Sequence, residues 1–108
     1  MIEKKIRDYL EKALDVPVWV EHREACDEPI SFVIFEKTGG YIKNTIHHST
    51  YAFQSYGRTL AEALELNNDL IDYMMIFEDA NVRLNSNYNF TDTSTKRYRY
   101  QAILELIY

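Results

Sequence analysis

The sequence predicts an α+β domain with two helices on one face of a mainly antiparallel sheet, in the order α-β-β-β-α-β-β. Two segments with helical spacing of apolar residues predict the helices. Alternation of apolar and polar residues over residues 81–108 predicts a long C-terminal β-hairpin. The chain has 108 residues, which fits a single domain, 1–108, with a hydrophobic core of its own.

The two predicted helices have different boundary signals. The first, Ile2–Leu14, ends ahead of Pro17, because the residue before a proline resists helical geometry. The second begins after Thr59, which forms a capping box with Glu62, and continues to Phe77. The apolar residues of the second helix that we expect to face the sheet are Leu60, Ala63, Leu64, Leu70, Ile71, Met74 and Phe77.

Three strands are predicted between the helices, at Val18–Val20, Ser31–Lys37 and roughly His47–Tyr56. The unbroken apolar run 32–35 in the second strand indicates burial on both faces of the sheet. The pair Gly39-Gly40 after it marks a turn or a bulge.

The last two strands alternate with a period of two residues. In the first of them, Val82, Leu84, Tyr88 and Phe90 are expected to share one buried face. In the second, apolar residues occupy the even positions from 98 to 108, and polar residues occupy most of the odd positions. The connection 91–96 is polar and contains neither glycine nor proline, so we expect a longer loop and an arm that reaches toward another chain over the free outer face of the sheet.

Charge is distributed unevenly along the chain. The net charge is −5, which argues against a general nucleic-acid binder, yet residues 83–99 carry +3 and the remainder −8. Two interpretations stay open: ordinary solvated strand positions, or a basic arm that meets an acidic surface or passing DNA. The residues concerned are Arg83, Asp92, Lys96, Arg97 and Arg99.

The second helix carries acidic residues at spacings of three or four, which form one stripe. Such a stripe is either a solvated face or the counterpart of the basic arm on a neighbouring subunit. Its members are Glu62, Glu65, Asp69 and Asp72.

Residues that could support catalysis or metal binding are few. His47 and His48 are neighbours in a predicted strand and therefore point to opposite faces. Cys26, the lone cysteine, has His22 and Asp27 close in sequence but no spaced metal motif or orienting group. We therefore expect no catalytic site, no metal and no cofactor.

Two further features concern location and contacts. The sequence contains no signal peptide and no apolar run of the ~20 residues that a membrane helix needs, so we expect an intracellular protein without a membrane partner. Its nine tyrosines suit oligomer contacts, and equally a plain preference of strands for tyrosine.

Four stretches in this order resemble the tail terminator (tail completion) proteins of long-tailed bacteriophages and prophages, especially minor structural proteins of phages of Gram-positive bacteria. They are VPVWVEH, SFVIFEKTGG, YAFQSYGRTLAEALELNNDL and YNFTDTSTKRYRYQAILELIY, which together span most of the chain from Val16 onward. The sequence departs from many relatives in having Thr91, where they carry proline, before Asp92.

The resemblance implies a non-enzymatic virion protein, assembled in the bacterial cytoplasm and located at the end of the tail. Such subunits form a ring, usually hexameric, and can be monomeric when isolated. The ring ends polymerisation of the tail tube, joins the head connector, and lets DNA pass as cargo.

Within this expectation, Arg97 and Arg99 of one subunit would contact Glu65, Asp69 and Asp72 of the next, a head-to-tail contact that can close a ring. Two rivals remain: another adaptor ring of the head–tail joint, and a small ligand-binding α+β domain.

Overall fold

The computed structural model describes residues 1–20, 31–92, 94 and 97–108. The helices are α1 (Ile2–Leu14) and α2 (Leu60–Met75); the strands are β1 (Val18–Trp19), β2 (Phe32–Lys43), β3 (Ile46–Gly57), β4 (Asn81–Asn89) and β5 (Tyr98–Ile107). They form one sheet in the order β1-β2-β3-β5-β4, in which β1 and β2 are parallel and the other neighbours are antiparallel. The predicted α+β class and element order are confirmed.

Local hydrogen bonds mark the end of α1 and the start of α2. The last turn of α1 closes where Asp15 adopts a left-handed conformation and its N–H donates to the Glu11 carbonyl at 3.0 Å. At the start of α2, the Glu62 N–H donates to Thr59 Oγ1 at 3.2 Å, and the Glu62 carboxylate accepts from the Arg58 N–H at 3.0 Å. The predicted capping box is therefore present, with its return bond one residue before the N-cap.

The main core lies between the helices and one face of the sheet. Its fully buried members are Ile6 and Leu10 of α1, Val18 of β1, Leu70 and Met74 of α2, Val33 and Phe35 of β2, Tyr51 and Phe53 of β3, and Leu104 and Leu106 of β5.

One part of the α2 prediction is wrong. The buried stripe runs through Ala63, Asn67, Leu70 and Met74, at spacings of three and four residues. This phase turns the side chains of Leu60 and Leu64 to the flank of the helix, where both remain more than a third exposed. A buried asparagine sits where the apolar pattern predicted none.

β2 is longer than predicted. It does not end at Lys37 but passes through a bulge between Lys37 and Gly39 and continues to Lys43, because β3 supplies partners for it as far as Ile46. Asn44 and Thr45 make the turn with positive φ angles of 51° and 65°, the combination that type I′ hairpin turns require. Strands β2 and β3 therefore form a long hairpin that continues beyond the last residues of β5.

β4 contains a second bulge, between Leu84 and Ser86, which reverses its side chains. Leu84 pairs with Leu104 on the helix side, whereas Tyr88 pairs with Gln101 on the opposite side. The prediction that Val82, Leu84, Tyr88 and Phe90 share one face is consequently wrong for Tyr88 and Phe90.

The face of the sheet away from the helices carries a smaller buried cluster of Phe32, Ile34 and Tyr56, against which the partly buried Trp19 packs. The rings of Phe32 and Tyr56 stack with centroids 4.5 Å apart. Burial of the run 32–35 on both faces is thus confirmed, and the expectation of a wholly free outer face is wrong for this part of the sheet.

Candidate subunit and partner interface

The predicted basic residues of the β4–β5 hairpin lie on the sheet face away from the helices. Arg83 stands directly across from Glu105 in the β4–β5 ladder, and Arg99 stands across from Tyr56 in the β3–β5 ladder. These β5 positions alternate with the buried Leu104 and Leu106, which face the helices. The structure therefore places Arg83 and Arg99 on one surface.

Arg99 is held by contacts within its own subunit. Its Nε donates to the Phe90 carbonyl at 2.6 Å, and its Nη1 donates to the Tyr56 hydroxyl at 2.8 Å. Its guanidinium carbon lies 4.4 Å from the centre of the Phe90 ring. A guanidinium has five N–H donors, so these two bonds leave donors for a carboxylate on another chain.

Arg97 and Asp92 shape the end of the hairpin. Their backbones exchange two hydrogen bonds, of 3.2 and 3.3 Å, and the Arg97 guanidinium carbon lies 5.3 Å from the centre of the Tyr56 ring. The Asp92 carboxylate accepts from the backbone N–H and the hydroxyl of Ser94 at 3.0 and 2.7 Å. Asp92, which the sequence predicted to make subunit contacts, thus has hydrogen-bond partners within its own subunit. Lys96 lies outside the described residues.

A hydrogen-bonded network crosses three strands on this face, and sequence reasoning missed it. Gln54 Nε2 donates to Gln101 Oε1 at 2.9 Å, and the Tyr56 hydroxyl donates to Gln54 Oε1 at 3.1 Å. Gln101 Nε2 donates to the Tyr88 hydroxyl, and Arg99 joins through Tyr56. The only signal was a glutamine at 54 and another at 101 in segments that otherwise predict strands.

The acidic stripe on α2 lies on the other side of the molecule, in the helix layer. Glu62, Glu65, Asp69 and Asp72 are all exposed. Glu62 also caps the helix, so its carboxylate has a local structural role. Glu65 and Asp69 line a shallow cleft of about 210 Å³, which they share with Glu62, Val16, Ser31 and Leu66.

Two further surfaces carry exposed apolar side chains. One is the tip of the β2–β3 hairpin, residues 41–46, where Tyr41, Ile42 and Ile46 are 59%, 65% and 46% exposed. The other is a cleft of about 530 Å³ between α1 and the segment after α2, lined by Lys5, Asp8, Tyr9, Ile76, Phe77, Glu78 and Asp79. We call them the hairpin tip and the α1–α2 cleft.

Tyr9 fixes one wall of the α1–α2 cleft. Its hydroxyl donates to the Tyr73 carbonyl at 2.7 Å, and its ring lies 5.1 Å from that of Phe77. Burial, followed by the nearby Tyr73 and Glu78, raises the pKa of the Tyr9 hydroxyl.

The two adjacent histidines take part in ring stacking on opposite faces, as the strand prediction required. His47 stacks on Tyr108 with centroids 4.9 Å apart, and His48 stacks on Tyr41 at 4.5 Å. Among the described residues, no group of three His, Cys, Asp or Glu side chains is placed to hold a metal ion. Cys26, His22 and Asp27 lie outside the described residues.

The comparisons with known proteins add no family. A scan against models of protein families finds no match to this chain, and a search of curated proteins finds no matching sequence. Within the described part of the chain, neither helix is long and apolar enough to cross a bilayer.

Proposed function

We propose that this chain is a structural protein of a phage or prophage virion that caps the tail tube, ends tail polymerisation and forms the joining surface for the head connector. It acts as a ring of identical subunits, expected to be hexameric, and catalyses no reaction. The four sequence stretches named above support this proposal, and they fall on β1, β2, β3 with α2, and the β4–β5 hairpin of one small α+β subunit.

The observation that carries the ring hypothesis is that the proposed contact residues of opposite charge lie on opposite layers of the subunit. Arg83 and Arg99 lie on the open sheet face, while Glu65, Asp69 and Asp72 point outward from the helix layer. A rigid subunit with these charges on opposite sides pairs them with a neighbour, in a head-to-tail contact that repeats around a ring when the rotation closes.

Free strand edges give a second way to join subunits. β4 is the last strand of the sheet, and β1 covers β2 only at Val33 and Ile34 within the described residues. The edge of β4 and the distal part of β2 therefore present backbone N–H and C=O groups to which a strand of another chain can add.

The partners of the proposed ring are the tail-tube protein on one side and the head–tail connector on the other. DNA passes through the opening as cargo and binds to no dedicated site. The protein is assembled in the cytoplasm of the bacterial host and ends in the virion, at the head-proximal end of the tail.

Electron microscopy of the purified protein, alone and added to growing tail tubes of the phage that encodes it, tests the proposal. Closed rings, capped tube ends and shorter tubes are expected. Binding to connector subunits without any effect on tubes would favour the rival adaptor ring, and a monomer that takes up a small molecule would favour the ligand-binding rival.

Charge-reversal variants test the residue assignment. We expect Arg97→Glu with Arg99→Glu, and separately Glu65→Lys with Asp69→Lys, to weaken ring assembly. Because exposed charges are screened over a Debye length of about 8 Å at physiological ionic strength, added salt should also weaken it. The control with the same change of charge as the arginine reversal is Lys4→Glu with Lys12→Glu, on exposed positions of α1. Thermal unfolding of each variant distinguishes a loss of assembly from a loss of folding. This control matters most for Arg99, because Arg99 also has hydrogen bonds within its own subunit. Rings that survive both reversals with the fold intact would refute the pairing.

A further inference from the structure

The hairpin tip is an apolar surface on a rigid support. Residues paired directly across an antiparallel ladder share a face, so Tyr41, Lys43 and Ile46 lie together on the face that also carries His48. The Tyr41 and His48 rings stack within 7° of parallel, which fixes the tyrosine ring. An exposed tyrosine and isoleucine around one lysine on a projecting hairpin are typical of a contact that another protein covers.

The α1–α2 cleft complements the hairpin tip, because it is a concave surface that also carries apolar side chains. Ile76 is 69% exposed at its rim, and the rings of Tyr9 and Phe77 form its wall. Its volume of about 530 Å³ lies within the ~300–1,000 Å³ range of binding pockets, and is therefore large enough for one or two bulky side chains.

The charges of the two surfaces also match. Lys43 is the only lysine, arginine, aspartate or glutamate in the tip segment 41–46. The cleft is lined by the carboxylates of Asp8, Glu78 and Asp79 and by the ammonium group of Lys5. Asp8 is paired with Arg7 at 3.3 Å, so Glu78 and Asp79 supply the acidic part of the rim. The hairpin tip is thus apolar with one cation, and the α1–α2 cleft is apolar with an acidic rim.

The tip does not occupy the cleft of its own subunit. Tyr41, Ile42 and Ile46 are exposed, and the ladder from Lys37 to Lys43 ties the tip to the sheet up to the turn. The complementary surface is therefore available to another molecule.

From these observations we infer that the hairpin tip docks into the α1–α2 cleft of a second copy of this chain, with Tyr41 and Ile46 against Tyr9 and Ile76. Lys43 then faces Glu78 and Asp79. This contact uses neither the arginines of the β4–β5 hairpin nor the acidic stripe of α2, so it stands whether or not the oligomer caps a tail tube.

Sedimentation velocity of the full chain over a wide concentration range measures the contact. We expect Ile46→Glu to weaken self-association by roughly 30-fold or more, since it puts a charge into an apolar contact. Lys43→Glu and Glu78→Lys should each weaken it by roughly three- to tenfold, and the two together should restore most of the loss. The control is Lys37→Glu. Lys37 is an exposed lysine of β2, and at the usual rise per residue it lies about 20 Å from Lys43 on the same strand.

The outcomes separate this contact from the proposed function. Self-association that persists at high salt and responds to Ile46→Glu, in a protein that leaves tail tubes unaffected, would support the contact and reject the terminator role. A protein that stays monomeric at every accessible concentration would overturn the contact. An oligomer that tolerates Ile46→Glu would also overturn it. So would a Lys43→Glu and Glu78→Lys pair that restores no self-association although each variant unfolds at the wild-type temperature. A reciprocal dimer and a ring both satisfy the contact, and the mass of the oligomer distinguishes them.

Discussion

Asn67 Nδ2 donates a hydrogen bond of 2.7 Å to Asn87 Oδ1 and so connects α2 to the far half of β4. Asn67 is fully buried, and Asn87 reaches it because the bulge after Leu84 turns position 87 toward the helices. The other polar atom of Asn67, Oδ1, has no hydrogen-bond partner in the part of the chain that the structure describes. A buried polar group satisfied on one side only contributes less stability than a satisfied pair.

Substitutions at Asn67 should therefore have very different effects. Asn67→Leu removes the unpaired oxygen and leaves Asn87 in contact with water, so the free energy of unfolding should change by no more than about 1 kcal/mol. Asn67→Asp has nearly the same shape but buries a carboxyl group, and should cost about 2–4 kcal/mol at pH 7.

The pH dependence distinguishes the charge effect from a packing effect. Burial raises the folded-state pKa of the carboxyl group that Asn67→Asp introduces above its unfolded value of ~3.9, so the penalty is absent below that pH and grows as the pH rises above it. Urea unfolding of the variant and the wild type at pH 4 and pH 7 measures the difference. An equal loss at both pH values would contradict this explanation.

The environment of Tyr51 predicts that the protein loses stability in alkaline solution. Its buried hydroxyl donates to the Glu3 carboxylate, and burial, followed by this hydrogen bond, raises the Tyr51 pKa above the ordinary value for tyrosine. The unfolded state therefore releases the proton first, so the stabilisation is present up to about pH 10 and falls by ~1.4 kcal/mol per pH unit above it.

Tyr51→Phe tests this directly. At pH 7 the variant should lose roughly 1.5–3 kcal/mol, the cost of a hydrogen bond to a charged group. Between pH 10 and 11, the free energy of unfolding should fall less steeply with pH for Tyr51→Phe than for the wild type. Parallel slopes for the two proteins would show that Tyr51 does not control the alkaline transition.

The features predicted correctly from sequence are those set by local chemistry. α1 has the predicted bounds because an apolar stripe and Pro17 define it, and α2 begins where the Thr59–Glu62 capping box places it. β5 kept its period of two because both its neighbours are antiparallel strands without a bulge on the β5 side.

The features missed from sequence depend on pairing between distant segments. The reversal at Tyr88 follows from the bulge in the pairing of β4 with β5, and β2 passes Gly39 because β3 offers it a partner strand. The bulge in β2 was one of the two alternatives that Gly39-Gly40 indicated, whereas the bulge in β4 has no such signal in its own segment. The charged residues could be identified from the sequence. The hydrogen bond from Arg99 to Tyr56 could not, because it depends on the fold placing β3 beside β5.

A double-mutant cycle on Arg99 and Tyr56 measures how far the predicted interface arginine also stabilises its own subunit. Arg99→Leu and Tyr56→Phe should each lower the free energy of unfolding, and their coupling should be about 1 kcal/mol, because Nη1 donates to a hydroxyl of a residue that is only 4% exposed. Urea unfolding of the four proteins gives the coupling. The control cycle pairs Tyr56→Phe with Arg83→Leu, which should be additive, and additivity in both cycles would mean that the Arg99–Tyr56 bond contributes nothing to folding.

One substitution in the turn at the hairpin tip should raise the stability of the protein. Thr45 has a φ of 65° despite its branched side chain, which costs roughly 1–3 kcal/mol, whereas glycine adopts this conformation freely at some entropic cost. Thr45→Gly should therefore raise the free energy of unfolding by about 0.5–1 kcal/mol, measured by urea unfolding. Thr38→Gly, in the extended part of the same hairpin, should lower it, and a loss at both positions would contradict the assigned turn. Because Thr45→Gly leaves Tyr41, Lys43 and Ile46 unchanged, it should also preserve self-association through the hairpin tip.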